Sequence, residues 1–264
     1  MMDSHTDKLV VIILAAGQGK RMLNPSKAKV MVNLAGKPLI EYVAERALQL
    51  SKKIYIIVGY QKQSVIKFIN SLEKGCQPVF EIVEQKEQLG TGHAVAQTET
   101  YLKDFKGDVL ILCGDVPNLS LNTLNRFIGK HISTNADVSV LSTVCDNTFG
   151  YGRIIRNEQN RFLKITEEKD ANPDERQVKE INSGVYIIKS ELLFPALKKI
   201  SNSNSQGEYY LTDIIEILEK EGANVHAFAV AEFDELQGVN SPEDLKKAEE
   251  YLLKLSKSSK LSVS

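Results

Sequence analysis

A glycine-rich segment follows the first apolar run of the chain and has the composition of an anion-binding loop. Residues 9–14 lead into Ala15-Ala16-Gly17-Gln18-Gly19-Lys20-Arg21. Small residues let backbone N–H groups approach a ligand closely, and Arg21 and Lys29 add positive charge. The segment lacks the third glycine of a dinucleotide fingerprint and the Gly-Lys-Ser/Thr of a P-loop. It predicts a site for an anion with several phosphates, with an ordinary strand-to-helix turn as the alternative.

Asp115 directly follows another apolar run and is a candidate ligand for a divalent cation. It stands in Leu112-Cys113-Gly114-Asp115-Val116-Pro117. Mg²⁺ is bound through a few carboxylate or amide oxygens, together with water and substrate phosphates. A turn aspartate that caps the next helix is the alternative. Asn240, just before the last predicted helix, is either a second oxygen ligand or a neighbour of that helix cap.

The segment Gln85 to His93, Gln-Lys-Glu-Gln-Leu-Gly-Thr-Gly-His, has polar groups suited to a nucleobase. Two glycines flank Thr91 at the start of a predicted helix, where backbone N–H groups lack intrahelical partners. The side-chain amide of Gln85 or Gln88 can pair with the edge of a base. A helix cap with surface glutamines is the alternative.

Gly152, Glu167 and Asn182 stand at the ends of strand-like runs in the second half of the chain. Carboxylate and amide groups supply the donors and acceptors that sugar hydroxyls or an acetamido group require. These three residues are therefore candidates for a sugar pocket.

The composition predicts a globular protein whose positive charge is local. Of 264 residues, 42% are hydrophobic and 25% charged, and the net charge is −1, so no nucleic-acid partner is expected. The three cysteines are widely spaced, which indicates a reducing compartment. No apolar run approaches 18 residues and no leader is evident, which favours a cytoplasmic protein without a membrane partner. No metal-ligand spacing is found among the histidines, which are predicted to be ordinary surface or core residues: His5, His93, His131 and His226.

Apolar runs alternate with helical patterns in the first half of the chain. Strands are predicted at residues 9–14, 54–58, 79–83, 109–112 and 138–144. The alternation indicates parallel β-α-β units, and therefore an α/β fold with a Rossmann-like, mostly parallel sheet. Ligands of such sheets bind beyond the carboxyl ends of the strands. The loop at Gly17 and the turn at Asp115 are therefore expected to share one crevice.

Shorter alternating runs follow in the second half. Strands are predicted at residues 153–156, 162–167, 185–188 and 227–233, and they indicate an antiparallel insert over the active site. Ser241 and Pro242 open a last helix, predicted at residues 241–255. Residues 1–240 are expected to form one domain, and the Lys/Ser-rich residues 256–264 a disordered tail.

Several motifs together resemble one family of sugar-nucleotidyltransferases. In chain order they are ILAAGQGKRM, EQLGTGHA, GDVP, TFGYGRIIR, TEEKDA, EINSGVYI, QGEYYLTDII and the GVN at residues 238–240. From about residue 10 to residue 240 the chain is similar to the uridylyltransferase (pyrophosphorylase) half of the GlmU family. That family is N-acetylglucosamine-1-phosphate uridyltransferase/glucosamine-1-phosphate acetyltransferase. The resemblance implies a glycosyltransferase A-like fold, and it does not include the left-handed β-helix acetyltransferase half.

The resemblance also implies a reaction. N-acetylglucosamine 1-phosphate would attack UTP in line, with Mg²⁺ as cofactor, to give UDP-N-acetylglucosamine, a cell-wall precursor, and pyrophosphate. The expected assembly is a monomer or small homo-oligomer. Two alternatives stay open. One is the same reaction class with another sugar 1-phosphate or nucleotide, and the other is a non-catalytic regulatory protein that binds sugar nucleotides.

Residue roles follow from the same resemblance. The nucleotide would be held by Leu14, Ala15, Ala16, Gly17, Gly114 and Asp115, and its uracil recognised by Gln85, Gly90 and Thr91. Arg21 and Lys29 would be the catalytic cations on the phosphates. The sugar would be bound by Gly152, Glu167, Asn182 and Asn240, with Tyr209 and Tyr210 shaping that side. Mg²⁺ would be held by Asp115 and Asn240.

Two departures from the family pattern bear on these roles. An apparent one-residue insertion within Ser26-Lys27-Ala28-Lys29 makes Lys27 a competitor of Lys29 for the phosphate contact. Cys113 stands where the family commonly has a tyrosine, so no side-chain contact is assigned there.

Overall fold

The computed structural model describes residues 8–19, 27–72 and 80–261. Arg21, Cys76 and residues 262–264 of the predicted tail lie outside these ranges.

Eleven strands and nine α-helices are found in the described ranges. The strands are β1 (Leu9–Ala15), β2 (Asn33–Leu34), β3 (Lys37–Pro38), β4 (Ile54–Val58), β5 (Phe80–Glu84), β6 (Asp108–Cys113), β7 (Val138–Val144), β8 (Arg153–Arg156), β9 (Phe162–Thr166), β10 (Glu180–Lys189) and β11 (Val225–Ala229). The helices are α1 (Leu39–Leu50), α2 (Lys62–Leu72), α3 (Thr91–Ala96), α4 (Glu99–Leu102), α5 (Leu121–Ser133), α6 (Ser190–Leu197), α7 (Asp213–Lys220), α8 (Phe233–Leu236) and α9 (Pro242–Leu261).

The central sheet has the strand order β11-β7-β10-β6-β1-β4-β5. Strand β1 pairs in parallel with β4 and β6, β4 with β5, and β7 with β11. Successive residues of β1 pack on opposite faces, since Val11 and Ile13 join one core cluster while Val10 and Ile12 join the other. A strand that is apolar on both faces requires helices on both sides of the sheet. The predicted α/β fold with a mostly parallel sheet is therefore confirmed.

Strand β10 is the antiparallel member of this path. It lies between β6 and β7, so the predicted strand at residues 185–188 is part of the main sheet. The strand also begins earlier than predicted, at Glu180, and its register shifts between Asn182 and Tyr186. Gly184 has φ +80° within that bulge, a conformation that glycine adopts without strain. Because β10 runs antiparallel, its first residues lie at the same edge as the carboxyl ends of the parallel strands.

The predicted antiparallel insert is the hairpin of β8 and β9, which joins β10 through the pair Arg153 and Ile181. The strand predicted at residues 227–233 was wrong at its end. Strand β11 stops at Ala229, and Phe233 begins α8 instead. An apolar run of this length fits a strand or a helix by periodicity alone.

Helix α9 corrects the predicted end of the chain. Ser241 caps it as expected, because its Oγ accepts from Asp244 N at 3.2 Å. The helix continues to Leu261 rather than ending at residue 255, so residues 256–261 are helical and the tail expected there is not found. The physical reason is that this stretch has no proline or glycine to interrupt the i to i−4 hydrogen bonds. No helix within the described part of the chain is long and apolar enough to span a membrane.

Candidate active site

A pocket of about 570 Å³ opens at the carboxyl edge of the sheet, where β1, β5 and β6 end. Gly114 N donates to Leu14 O at 2.9 Å, which holds the ends of β6 and β1 together. A Cβ on Gly114 would lie 2.9 Å from the same carbonyl oxygen, so this approach requires glycine. The predicted site residues that line the pocket are Leu14, Ala15, Ala16, Gly17, Lys29, Gln85, Gly90, Thr91, Asp115 and Asn240.

Three polar side chains converge at one place in this pocket. Lys29 Nζ lies 2.9 Å from Asn240 Oδ1 and also contacts Asp115 Oδ2. The side chains of Lys29 and Asp115 retain 14% and 18% of their surface, so they are largely withdrawn from water but still reach the pocket. Lys27 is exposed and does not line the pocket, whereas Lys29 does.

Backbone contacts bring these segments together. Val239 N donates to Asp115 O at 2.9 Å, which joins the segment before α9 to the turn after β6. Asn240 N donates to Asp244 Oδ2 at 3.0 Å, within the first turn of α9. Asn240 is therefore a neighbour of the helix cap and also lines the pocket, and its role as a second oxygen ligand stays a prediction.

The glycine-rich loop passes directly over Lys29. Gly19 has φ +60°, and a Cβ there would lie 2.7 Å from Cβ of Lys29. Glycine at this position therefore leaves room for the lysine side chain. Arg21, the other predicted cation, follows outside the described residues.

Gln85 occupies another wall of the pocket, just after β5, and is only 3% exposed. Its backbone N donates to Val58 O at 2.8 Å, which places it beside the end of β4. Its Nε2 donates to Gly90 O at 3.1 Å and lies 3.1 Å from His93 Nδ1. The side-chain amide nitrogen of Gln85 is therefore held by two neighbours within the protein, Gly90 O and His93 Nδ1.

The segment at residues 208–212 packs against the start of α3. Gly92 N donates to Tyr209 O at 2.8 Å, and Leu211 N donates to Thr91 Oγ1 at 3.0 Å. Gly90 has φ +110°, and a Cβ there would lie 2.6 Å from Tyr209 O. The motifs EQLGTGHA and QGEYYLTDII are thus in direct contact.

The three candidate sugar residues form a second group. Asn182 N donates to Gly152 O at 2.8 Å, and a Cβ on Gly152 would lie 3.6 Å from Glu167 Oε2. Asn182 Nδ2 donates to Tyr186 Oη at 2.7 Å. None of the three lines the main pocket. Cys113 lies between the pocket and this second group. It lines the pocket, and its Sγ lies 3.4 Å from Gly184 O, while Gly184 N donates to Asn182 Oδ1 at 3.0 Å.

Burial raises the pKa of three side chains in and around this second group, Glu167, Asp213 and Cys113. It raises the pKa of Glu167, while the hydrogen bond from Thr212 Oγ1, at 3.0 Å, opposes the rise. Burial raises the pKa of Asp213 to about 6, with further contributions from Glu216 and Asp170. Burial also raises the pKa of the Cys113 thiol to about 12, so this cysteine is neutral at physiological pH.

Sequence reasoning missed part of the pocket wall. Lys169 lines the pocket, and its Nζ donates to Gln206 Oε1 at 2.7 Å. Glu208 lines the same wall. All three residues stand within the quoted motifs TEEKDA and QGEYYLTDII, so the signal was present but had not been assigned to single residues.

Two solved structures share the architecture of this chain. UDP-glucose pyrophosphorylase complexed with UDP-glucose superposes with a TM-score of 0.74 at 19% identity, covering 93% of this chain and 98% of that one. The apo form of UDP-glucose pyrophosphorylase gives a TM-score of 0.73 at 19% identity, covering 94% and 99%. The chain therefore has the fold of UDP-glucose pyrophosphorylase.

The nucleotidyl transferase family matches residues 10–245, and the chain belongs to this family. Bifunctional protein GlmU of Oceanobacillus iheyensis is 44% identical over 245 residues, which are 92% of this chain and 52% of the relative. Bifunctional protein GlmU of Bacillus subtilis strain 168 is 42% identical over 247 residues, covering 93% and 52%. The predicted resemblance is confirmed. The chain spans about half the length of these relatives.

Proposed function

We propose that the chain transfers the uridylyl group of UTP to N-acetylglucosamine 1-phosphate, giving UDP-N-acetylglucosamine and pyrophosphate. The observation that carries this proposal is the convergence of Lys29, Asp115 and Asn240 in the pocket that Gln85 also lines. A cation beside two oxygen ligands suits a chain of phosphates, and a buried amide suits the edge of a base. Similarity to bifunctional protein GlmU supports this pair of substrates.

In this reaction a phosphate oxygen of the sugar phosphate attacks the α-phosphorus in line, and the bond to the pyrophosphate oxygen breaks. The sugar phosphate is an anion at neutral pH, so no strong general base is required. Two polyanions must approach each other, and the chain therefore contributes positioning and charge neutralisation. We assign Lys29 and Arg21 to the charge that develops on pyrophosphate.

We assign Asp115 and Asn240 to Mg²⁺. Both oxygens already contact the ammonium of Lys29, so the pair suits a cation. Within the described ranges no group of three or more His, Cys, Asp or Glu side chains could hold a metal. A site with few protein ligands is typical of Mg²⁺, which keeps water and substrate phosphates in its shell. When bound there, the ion would neutralise phosphate charge.

We assign the sugar to the group of Gly152, Glu167 and Asn182. A Cβ on Gly152 would lie 3.6 Å from both Asn182 Cβ and Glu167 Oε2, so the three residues are neighbours, and it would lie 2.9 Å from Ile165 Cγ2, the contact that requires glycine there. The Glu167 carboxyl and the Asn182 amide offer acceptors and donors for sugar hydroxyls and an acetamido group.

Pyrophosphate release from a panel of nucleoside triphosphates and sugar 1-phosphates, with and without Mg²⁺, tests the proposal. We expect UTP with N-acetylglucosamine 1-phosphate to give the highest kcat/KM, and only with Mg²⁺. If another pair is preferred, the substrate assignment is wrong. Binding of UDP-N-acetylglucosamine without turnover would instead indicate a sugar-nucleotide-binding regulatory protein.

We further propose that the chain works in the cytoplasm, where charged nucleotide and sugar-phosphate substrates are made. A monomer or a small homo-oligomer is the proposed assembly, and light scattering after size exclusion tests it.

A further inference from the structure

We infer that His93 orients the amide of Gln85 and thereby selects a nucleotide whose base presents an N–H at ring position 3. The inference rests on the proposed function, since it takes this wall of the pocket to bind a pyrimidine base. His93 is not among the pocket-lining residues. It contacts the Gln85 side chain instead, with 3.1 Å between His93 Nδ1 and Gln85 Nε2.

Two acceptors orient the Gln85 amide together, Gly90 O and His93 Nδ1, and the role of Gly90 O does not depend on a tautomer. Gln85 Nε2 lies 3.1 Å from Gly90 O, and a carbonyl oxygen can only accept a hydrogen bond. The atom that faces Gly90 must therefore be the NH₂ nitrogen. Since Gln85 is 3% exposed, a reversed amide would place two acceptors against each other away from water.

The same nitrogen fixes the tautomer of His93. Its second hydrogen points to Nδ1, so Nδ1 must accept. A neutral imidazole has one accepting nitrogen, and Gln97 Nε2 competes for it at 3.2 Å from His93 Nε2. Gln97 is less buried and already donates to His93 O at 2.9 Å, whereas Gln85 is almost fully buried. The buried contact with Gln85 therefore sets the tautomer of His93, in which Nδ1 accepts and Nε2 carries the hydrogen.

This arrangement leaves Gln85 Oε1 as the hydrogen-bonding atom of the side chain for a ligand. Uracil presents an N–H at position 3, which an amide oxygen accepts. Cytosine presents an unprotonated nitrogen at the same position, so two acceptors would face each other. A site that holds an acceptor rigidly rejects such a base, because the acceptor then stays unpaired. His93 is thus a positioning residue, because its accepting nitrogen holds the second hydrogen of the amide that Gly90 O also orients, and it contributes to base selection in this way.

Four variants separate this role from a merely structural one. His93→Asn keeps an acceptor near the position of Nδ1. His93→Gln reaches the position of Nε2 instead, and His93→Leu has no acceptor. Gln97→Ala removes the neighbour of Nε2 and is the matched control. For the full chain, kcat/KM is measured with UTP and CTP, together with the KM of the sugar phosphate and Tm. Calorimetry gives the affinities for both nucleotides.

We expect the preference for UTP over CTP to fall about tenfold in His93→Gln and His93→Leu. It should stay near the wild-type value in His93→Asn and Gln97→Ala, with the KM of the sugar phosphate unchanged throughout. An unchanged preference in His93→Gln, or an equal loss in His93→Asn, overturns the inference. If His93→Leu does not fold, the Asn and Gln variants decide by themselves. If the wild type turns over neither nucleotide, the proposed function fails, while the ratio of affinities still tests His93.

Discussion

Lys29 Nζ lies 2.9 Å from Asn240 Oδ1, although the two residues are 211 positions apart in the chain. Asp115 contacts the same nitrogen, so three distant segments place one cation and two oxygens at a single point. In the proposed reaction this point receives the phosphates, and its residues should affect turnover more than stability.

Substitutions of Lys27 and Lys29, the two lysines near the apparent one-residue insertion, should differ sharply in their effect on kcat/KM. Lys29→Ala should lower kcat/KM by roughly 100-fold, because a preorganised charge on the phosphates is lost. Lys27 is exposed and outside the pocket, so Lys27→Ala should stay near wild type. Steady-state pyrophosphate release compares them. Equal losses in both variants would contradict the assignment of Lys29.

Asp115→Asn should also lower kcat/KM by roughly 100-fold and raise the Mg²⁺ concentration needed for half-maximal rate, since a neutral amide holds the ion less well. Asp146→Asn is the control, because the Asp146 side chain is fully exposed and its contact with Lys179 Nζ is long, at 3.8 Å. A Mg²⁺ titration of the initial rate distinguishes them. A normal Mg²⁺ requirement in Asp115→Asn would rule out this carboxylate as a ligand.

Glu168→Gln should destabilise the fold by about 3 kcal/mol, because it leaves the charge of Arg153 unpaired in the interior. The Arg153 side chain is 2% exposed and lies 2.7 Å from Glu168 Oε2. Urea unfolding measures the change. Glu99→Gln, which breaks an exposed pair with Lys198, should change stability by less than about 0.5 kcal/mol. Similar values for both variants would refute the buried pair as a determinant of stability.

Glu168 also adjoins the proposed sugar residue Glu167 in sequence, and Arg153 follows Gly152. We therefore expect Glu168→Gln to raise the KM of the sugar phosphate while leaving the KM of UTP near wild type. A parallel rise in both KM values would indicate a general loss of structure instead.

Stability should depend on pH through Asp213, whose pKa is raised from 3.8 to about 6. Between these values the folded state holds a proton that the unfolded chain has released, so the free energy of unfolding falls as pH rises through this window. The free energy of unfolding of Asp213→Asn should equal that of the wild type below about pH 4 and exceed it by about 1 kcal/mol above about pH 6, a figure reduced because the side chain is partly exposed. Urea unfolding at several pH values checks this, with the exposed Asp104→Asn as control. A difference that is independent of pH would exclude Asp213 as its source.

Gly90→Ala should destabilise the protein by about 2 kcal/mol, since φ is +110° and the new Cβ would lie 2.6 Å from Tyr209 O. Gly129 lies within α5 and has open space around it, so Gly129→Ala should be neutral or stabilising. Thermal unfolding compares them. If the two alanines behave alike, the close approach at Gly90 does not limit stability.

Elements whose signals are local could be predicted from the amino-acid sequence. The bounds of β4, β7 and β8 were predicted to the residue, because apolar alternation and turn residues act within a few positions. The crevice shared by the Gly17 loop and the Asp115 turn could also be predicted, because parallel strands have their carboxyl ends at a common edge of the sheet. Most predicted nucleotide residues line that crevice, whereas their roles stay predictions.

The contacts between distant segments became visible in the folded chain. The fold placed β10 antiparallel inside the sheet, which brings Asn182 to the active-site edge. It brought Lys29 and not Lys27 to the pocket, and it set His93 beside Gln85 where sequence analysis expected an ordinary histidine. These relationships depend on contacts between segments far apart in the chain. Local periodicity carries no information on such pairing, because it reports burial along a strand or helix and not the identity of the neighbour.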